Sequence, residues 1–148
     1  MAFNVLPSDQ SPIIGVINPQ STNTTVVSGW IPLKQVQAFE ALILAGALGA
    51  SATVDAKLQQ ATSSGGAGAK DITGKAITQL TKAGTDDNKQ AVINCRADEL
   101  DVNNDFNHVQ LSITVGTAAS LVAGVVLATT FRYDPSDIQA TTVDEVVS

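Results

Sequence analysis

The chain has 148 residues, of which 44% are hydrophobic and 15% are charged, and its formal net charge is −6 at pH 7. This length supports one domain with its own core rather than two, and the apolar content excludes a chain that is disordered throughout. The acidic balance offers phosphates no positive surface, so we expect no direct binding to nucleic acid.

The first 24 residues have the composition of an extended N-terminal arm. Pro7, Pro12 and Pro19 lie among many Ser, Asn and Gln residues, and proline at this density disfavours helix and central strand. Apolar side chains nevertheless interrupt the arm, which a purely disordered terminus would not need. We expect them to dock on a neighbouring subunit or on the arm's own domain, and both alternatives stay open. The candidate interface residues of the arm are Phe3, Val5, Leu6, Ile13, Ile14, Val16 and Ile17.

Trp30, the only tryptophan, lies just after this arm. It is a further candidate interface residue, because buried aromatic side chains often dominate interface energetics. A core position is the ordinary alternative, and stacking on a sugar is a third.

Residues 25–133 carry the periodicity of β-strands. The clearest alternation runs from His108 to Val115, where every odd-numbered residue is apolar. Ala118–Phe131 is more continuously apolar, which predicts a strand that is covered on both faces. Gln35–Leu44 also fits a helix, but its alternation favours a strand. The predicted strands are Thr25–Ile31, Gln35–Leu44, Ala52–Gln60, Asp71–Lys82, Ala91–Ala97, His108–Val115 and Ala118–Phe131.

Short strands separated by turn-forming residues predict an all-β fold, an antiparallel β-sandwich or a jelly-roll-like barrel. The predicted organisation is an extended arm over residues 1–24, a sandwich domain over 25–133 and an acidic, extended C-terminal tail over 134–148. No alternation of strands and helices indicates a parallel α/β sheet.

No motif in the sequence predicts catalysis, a cofactor or a metal. Gly68–Lys75 resembles a phosphate-binding loop, but it has one residue too many between its glycines, and Ala76 replaces the hydroxyl residue that would bind Mg²⁺. Asp101–Asp105 resembles the start of an EF-hand loop, but Phe106 takes the place of the required glycine. We therefore expect a protein that is not an enzyme, although a weak calcium site of another kind at Asp101–Asp105 stays open.

Neither the single cysteine nor the N-terminus predicts export. Cys95 has no partner for an intramolecular disulfide and is interpreted as a small buried hydrophobic residue, which fits assembly in a reducing cytoplasm. Met1–Ser11 has neither the basic region nor the apolar stretch of a signal peptide. The longest weakly polar run is too short for a membrane helix of about 20 residues, so we expect no membrane partner.

Several segments resemble the small virion proteins of tailed bacteriophages. They are Ala52–Gln60, with the sequence ATVDAKLQQ, the Ser/Gly-rich loop that follows it, and Lys70–Gly74, with the sequence KDITG. Arg96–Leu100 and His108–Ser112 are similar too, so the resemblance covers roughly residues 35–133. It implies a β-sandwich carried in the virion and supplies no catalytic residue.

The resemblance leads us to expect a capsid decoration, or auxiliary head, protein on the surface of the virion. Its partners would be the major capsid protein, copies of itself, or both, and a homotrimer is one such arrangement. A tail-tube, neck or head–tail completion protein is the first alternative. A module that binds a carbohydrate or the host surface is the second, although aromatic residues make up only 4% of the chain.

Overall fold

In the computed structural model, which describes residues 5–132 and 138–147, the chain folds into two antiparallel sheets packed face to face. The predicted all-β sandwich is confirmed. A single α-helical turn, α1, spans Pro7–Gln10, with proline at its first position, where its missing N–H is tolerated. The strands are β1 Ile13–Thr22, β2 Thr25–Val27, β3 Ile31–Pro32, β4 Val36–Ala45, β5 Thr53–Ala61, β6 Lys70–Ala76, β7 Leu80–Thr81, β8 Gln90–Arg96, β9 His108–Gly116 and β10 Ser120–Phe131.

The first sheet has the strand order β1-β10-β4-β8. The second has the order β2-β9-β5-β6, with β3 also pairing with β9 and β7 also pairing with β5. Two 3₁₀ turns, Ala97–Glu99 and Val102–Asn104, lie between β8 and β9. None of the helical segments in the described ranges has the length and apolar character of a helix that crosses a membrane.

The core lies between the two sheets and consists of the inward residues of each alternating strand. Phe39 and Ile43 from the first sheet meet Leu58, Leu111 and Ile113 from the second, and each is at most 1% exposed. The apolar residues of the alternation on β5 and β9 are each at most 2% exposed, which confirms that they face the core: Val54, Ala56, Leu58, Val109, Leu111, Ile113 and Val115. On the other side of β9, Gln110 and Ser112 are also buried, at 9% and 4%. Every buried side-chain nitrogen or oxygen in the described residues has a hydrogen-bond partner.

Two of the predicted strands are broken in the structure. Thr25–Ile31 becomes β2 and β3, because the chain turns at Gly29, whose φ of 80° lies in the region that favours glycine. Asp71–Lys82 becomes β6 and β7. Ala76 pairs with Lys57 and Leu80 pairs with Val54 on β5, so three residues face two and the regular ladder is interrupted between them.

The prediction of an arm that extends to residue 24 is wrong in its boundary. Ile13–Thr22 forms β1, which pairs with β10 at the edge of the first sheet. An edge position tolerates proline, because the N–H that proline lacks can face away from the neighbouring strand. The register of β1 shifts between Ile17 and Gln20, which places Pro19 in an irregularity of the pairing.

The C-terminal segment folds back onto the start of β1. The side chain of Gln139 accepts a hydrogen bond from the backbone N–H of Ile13 at 2.8 Å and donates one to the carbonyl of Ser8 at 3.0 Å. The backbone N–H of Ala140 donates to the carbonyl of Ile13 at 2.7 Å. The predicted tail therefore includes a bound portion, whereas residues 133–137 and 148 lie outside the described residues.

Replacing Gln139 with alanine should release this contact. The side chain makes two hydrogen bonds, each worth about 0.5–1.5 kcal/mol, so we expect the free energy of unfolding to fall by about 1–3 kcal/mol. Hydrogen exchange of the Ile13 amide, followed by NMR, should become faster. Exchange of the Leu111 amide in β9, the control, should become faster only by the amount that the lower global stability explains. Unchanged protection of Ile13 would contradict the contact.

Candidate interaction surface

The outward side of the first sheet carries a continuous apolar row across all four strands. Val16 of β1 pairs with Val125 of β10, Val125 pairs with Leu42 of β4, and Leu42 pairs with Val92 of β8. Directly paired residues on one side of an antiparallel sheet have Cβ atoms about 4.5–5.5 Å apart. Each of these side chains therefore lies next to the one on the neighbouring strand, from β1 through to β8.

Further apolar side chains extend this row in both directions. Leu44 is 42% exposed, Leu121 is 48% exposed and Val92 is 52% exposed. A group of exposed apolar side chains on one surface is informative, whereas a single one is not. A shallow depression of about 390 Å³ lies between Leu44 and Leu121. We call this surface the apolar face. It consists of Ile13, Val16, Leu42, Leu44, Val92, Leu121, Ala123, Val125 and Leu127.

Charge is sparse on this side of the sheet. On the outward positions of its strands, the charged residues are Glu40, in the middle of β4, and Arg96, at the end of β8. Arg96 pairs through Nε with Asp98 at 3.1 Å. A surface with so few charges costs little to desolvate, which favours contact with another protein.

The outward side of the second sheet has the opposite character. Lys57 forms an ion pair with Asp71 at 3.0 Å, and Gln79 donates a hydrogen bond to Asp55 at 2.8 Å. The hydrogen bond from Lys57 is the main cause that lowers the pKa of Asp71. The outward side of the second sheet therefore carries paired polar and charged side chains, whereas the outward side of the first sheet is mainly apolar.

The predicted interface residues of the arm are distributed over three environments. Phe3 lies outside the described residues, and Leu6 is 39% exposed beside α1. Ile13 and Val16 are half-buried on the apolar face, whereas Ile17 is only 2% exposed and belongs to the core. The remaining two, Val5 and Ile14, are half-buried, and Ile14 packs against the core.

Trp30 packs at the periphery of the domain, outside the buried core. Its side chain is half-buried and lies against the loop that joins β5 and β6. A Cβ added at Gly66 would lie 2.5 Å from Nε1 of Trp30, so this close contact requires glycine. Trp30 therefore fixes a loop of its own domain.

The sequence alone predicts only part of the apolar face. The continuous apolar character of Ala118–Phe131 predicted cover on both sides, and β10 is indeed covered by the core on one side. On its other side, Leu121 is 48% exposed, whereas Val125 is half-buried. Leu42, Leu44 and Val92 lie on strands of ordinary alternation, so only the pairing of β4, β8 and β10 shows that they form one surface.

No three His, Cys, Asp or Glu side chains of the described ranges converge as a metal site. In the acidic loop before β9, Lys70 approaches Asp101 at 2.6 Å, and the amide of Asn104 donates to both carboxylate oxygens of Asp101. The hydrogen bond from Lys70 is the main cause that lowers the pKa of Asp101. This carboxylate is therefore held by groups of the protein itself.

Cys95 lies in the core, on β8, as a free thiol. Burial, followed by the negative charge of Glu99, raises the pKa of the thiol to about 12. We expect a thiol-specific reagent at pH 8 to modify the folded protein only at the rate at which β8 opens, and the unfolded protein within the mixing time. Absorbance at the wavelength of the released product measures both rates. Immediate modification of the folded protein would contradict this burial.

Comparison with known proteins does not place the chain in a family. No family model matches it, and no curated protein matches it. The contrast between the two sides of the sandwich is therefore the observation from which a function can be inferred.

Proposed function

We propose that this protein is a structural component of a bacteriophage virion, a capsid decoration protein that attaches to the shell through the apolar face. The observation that carries the proposal is that face, formed by four paired strands on an otherwise acidic protein. The resemblance of residues 35–133 to small virion proteins supplies the kind of particle.

The size of the apolar face indicates how such attachment would work. Four strands about 4.8 Å apart, with about six residues each at about 3.4 Å, give a face of about 400 Å². A stable interface takes about 800 Å² from each partner, so one face alone makes a weak contact. A shell offers many equivalent sites, and copies that also contact each other gain affinity from multivalency without any new contact.

A rigid sandwich suits attachment to a shell because its two outward sides differ in polarity. The apolar face loses water on attachment, whereas the polar side of the second sheet, with its Lys57–Asp71 ion pair, stays hydrated as the new outer surface of the particle. Attachment would then reinforce the shell by added interface area. It requires no catalytic group.

Electron microscopy of particles of the virus that encodes the chain tests this proposal. A gold-labelled antibody against the protein should decorate the head surface in many copies, and a density map should show the first sheet facing the shell. Particles from a virus with the gene deleted are the control. Absence of the protein from purified particles, or labelling confined to the tail or the neck, would overturn the proposal.

A further inference from the structure

A cavity of about 510 Å³ opens at the end of the sandwich where the β3–β4 connection, the 3₁₀ turns and the end of β10 meet. Its apolar lining includes Leu33, Leu100 and Phe106, which are 3%, 5% and 9% exposed. The charged side chains of Lys34 and Arg132 also line it, and both residues are exposed. The cavity thus combines an apolar floor with a basic rim, and it is separate from the apolar face.

The basic residues of this rim differ from most other Lys and Arg residues of the chain in their ion pairing. Of eight Lys and Arg residues, five form ion pairs among the described residues: Lys57, Lys70, Lys75, Lys82 and Arg96. The other three are Lys34, Lys89 and Arg132, and two of these line the same cavity. Among the described residues of the lining, Asp105 is the one carboxylate, so the two cations outnumber it there. The described lining is therefore net positive and partly apolar, on a protein whose net charge is −6.

The C-terminal segment has the complementary chemistry. Val143–Val147 reads Val-Asp-Glu-Val-Val, two carboxylates flanked by branched aliphatic residues. It contains no helix or strand, and Val146 and Val147 are 46% and 83% exposed. An acidic, apolar peptide of this kind matches a basic rim over an apolar floor, because carboxylates pair with Lys and Arg while aliphatic groups leave water.

We propose that the cavity binds the Val143–Val147 segment of a second copy of the chain. Within one copy, the hydrogen bond from Ala140 to Ile13 holds the base of this segment against β1, and none of residues 139–147 lines the cavity. Asp144 and Glu145 would pair with Lys34 and Arg132 of the neighbour, with Val146 on the apolar floor. A contact between two different surfaces repeats from copy to copy, so it builds a ring or an extended array.

A synthetic peptide with the sequence of residues 141–147, labelled with a fluorophore, provides the first test. Fluorescence anisotropy should show saturable binding to the full chain that weakens with added salt. The double substitution Lys34→Ala with Arg132→Ala should weaken binding at least 10-fold, whereas Lys89→Ala, the matched control outside the cavity, should leave it unchanged. Absence of saturable binding, or equal binding by all three proteins, would overturn the proposal.

Sedimentation velocity of the full chain tests whether the segment in the cavity comes from a second copy of the chain. Association should rise with protein concentration and should be lost in the double variant Asp144→Asn with Glu145→Gln, while thermal unfolding confirms that each variant is folded. A chain that stays monomeric at every concentration would overturn the proposal, even if the peptide binds, because the segment would then occupy its own copy's cavity. Both tests use protein without particles, so their failure leaves the proposed attachment to a shell unaffected.

Discussion

Replacing Phe39 with alanine should lower the free energy of unfolding by about 3–5 kcal/mol, the usual cost of emptying a buried phenylalanine site. Phe39 is 1% exposed and lies on β4, which is paired on both sides, by β10 and by β8. The cavity left behind cannot collapse easily, since neighbouring backbone on both sides is held in register. Guanidinium unfolding followed by circular dichroism measures the change.

Thr73→Ala is the control for that experiment, because Thr73 is exposed on β6 and does not belong to the core cluster. Its effect should stay within about 0.5 kcal/mol, as for most surface substitutions. A loss below about 1 kcal/mol for Phe39→Ala would mean that the two sheets do not enclose this side chain as described.

The second large effect concerns the apolar face. The double substitution Leu44→Asp with Val92→Asp should reduce attachment to particles at least about 100-fold, or about 2.8 kcal/mol at about 1.4 kcal/mol per tenfold change. Attachment would bury two unpaired carboxylates, and desolvating each costs several kcal/mol. Both side chains are more than 40% exposed in the free protein, so the fold should be retained. Co-sedimentation with particles that lack the protein measures binding.

A matched control places the same two charges elsewhere. Thr73 and Thr78 are exposed on or beside β6 of the second sheet, so Thr73→Asp with Thr78→Asp adds equal charge away from the apolar face. This variant should bind particles as the unmodified protein does. If both double variants lose binding to particles equally, the cause would be general charge repulsion. If both keep binding, the apolar face would not be the attachment site.

The sequence predicted the strands better than it predicted their arrangement. Alternation in Ala52–Gln60 and His108–Val115 predicted β5 and β9 with their inward residues, because burial on one side of a strand imposes a period of two. The break between β6 and β7 arises from how these strands pair with β5, which local pattern does not contain. For the same reason, local pattern does not predict β1, since the pairing of Ile13–Thr22 with β10 spans most of the chain.

The surfaces were less predictable than the fold. Val16, Leu42, Val92 and Val125 come from four strands, and only pairing joins them into a row. The cavity at the loop end likewise combines Lys34 with Arg132, almost a hundred positions apart in sequence. Distant residues meet through the topology, and no local periodicity encodes that meeting.

The contact between Gln139, Ser8 and Ile13 has a practical consequence for protein engineering. It holds Ser8 and Ile13 together with Gln139 beside the edge of the first sheet, so two segments far apart in sequence meet there. A short linker from Gln139 to Ser8, in place of the residues beyond them, would allow new termini to be opened in an exposed loop, such as the glycine-rich connection between β5 and β6, with the ten described strands preserved.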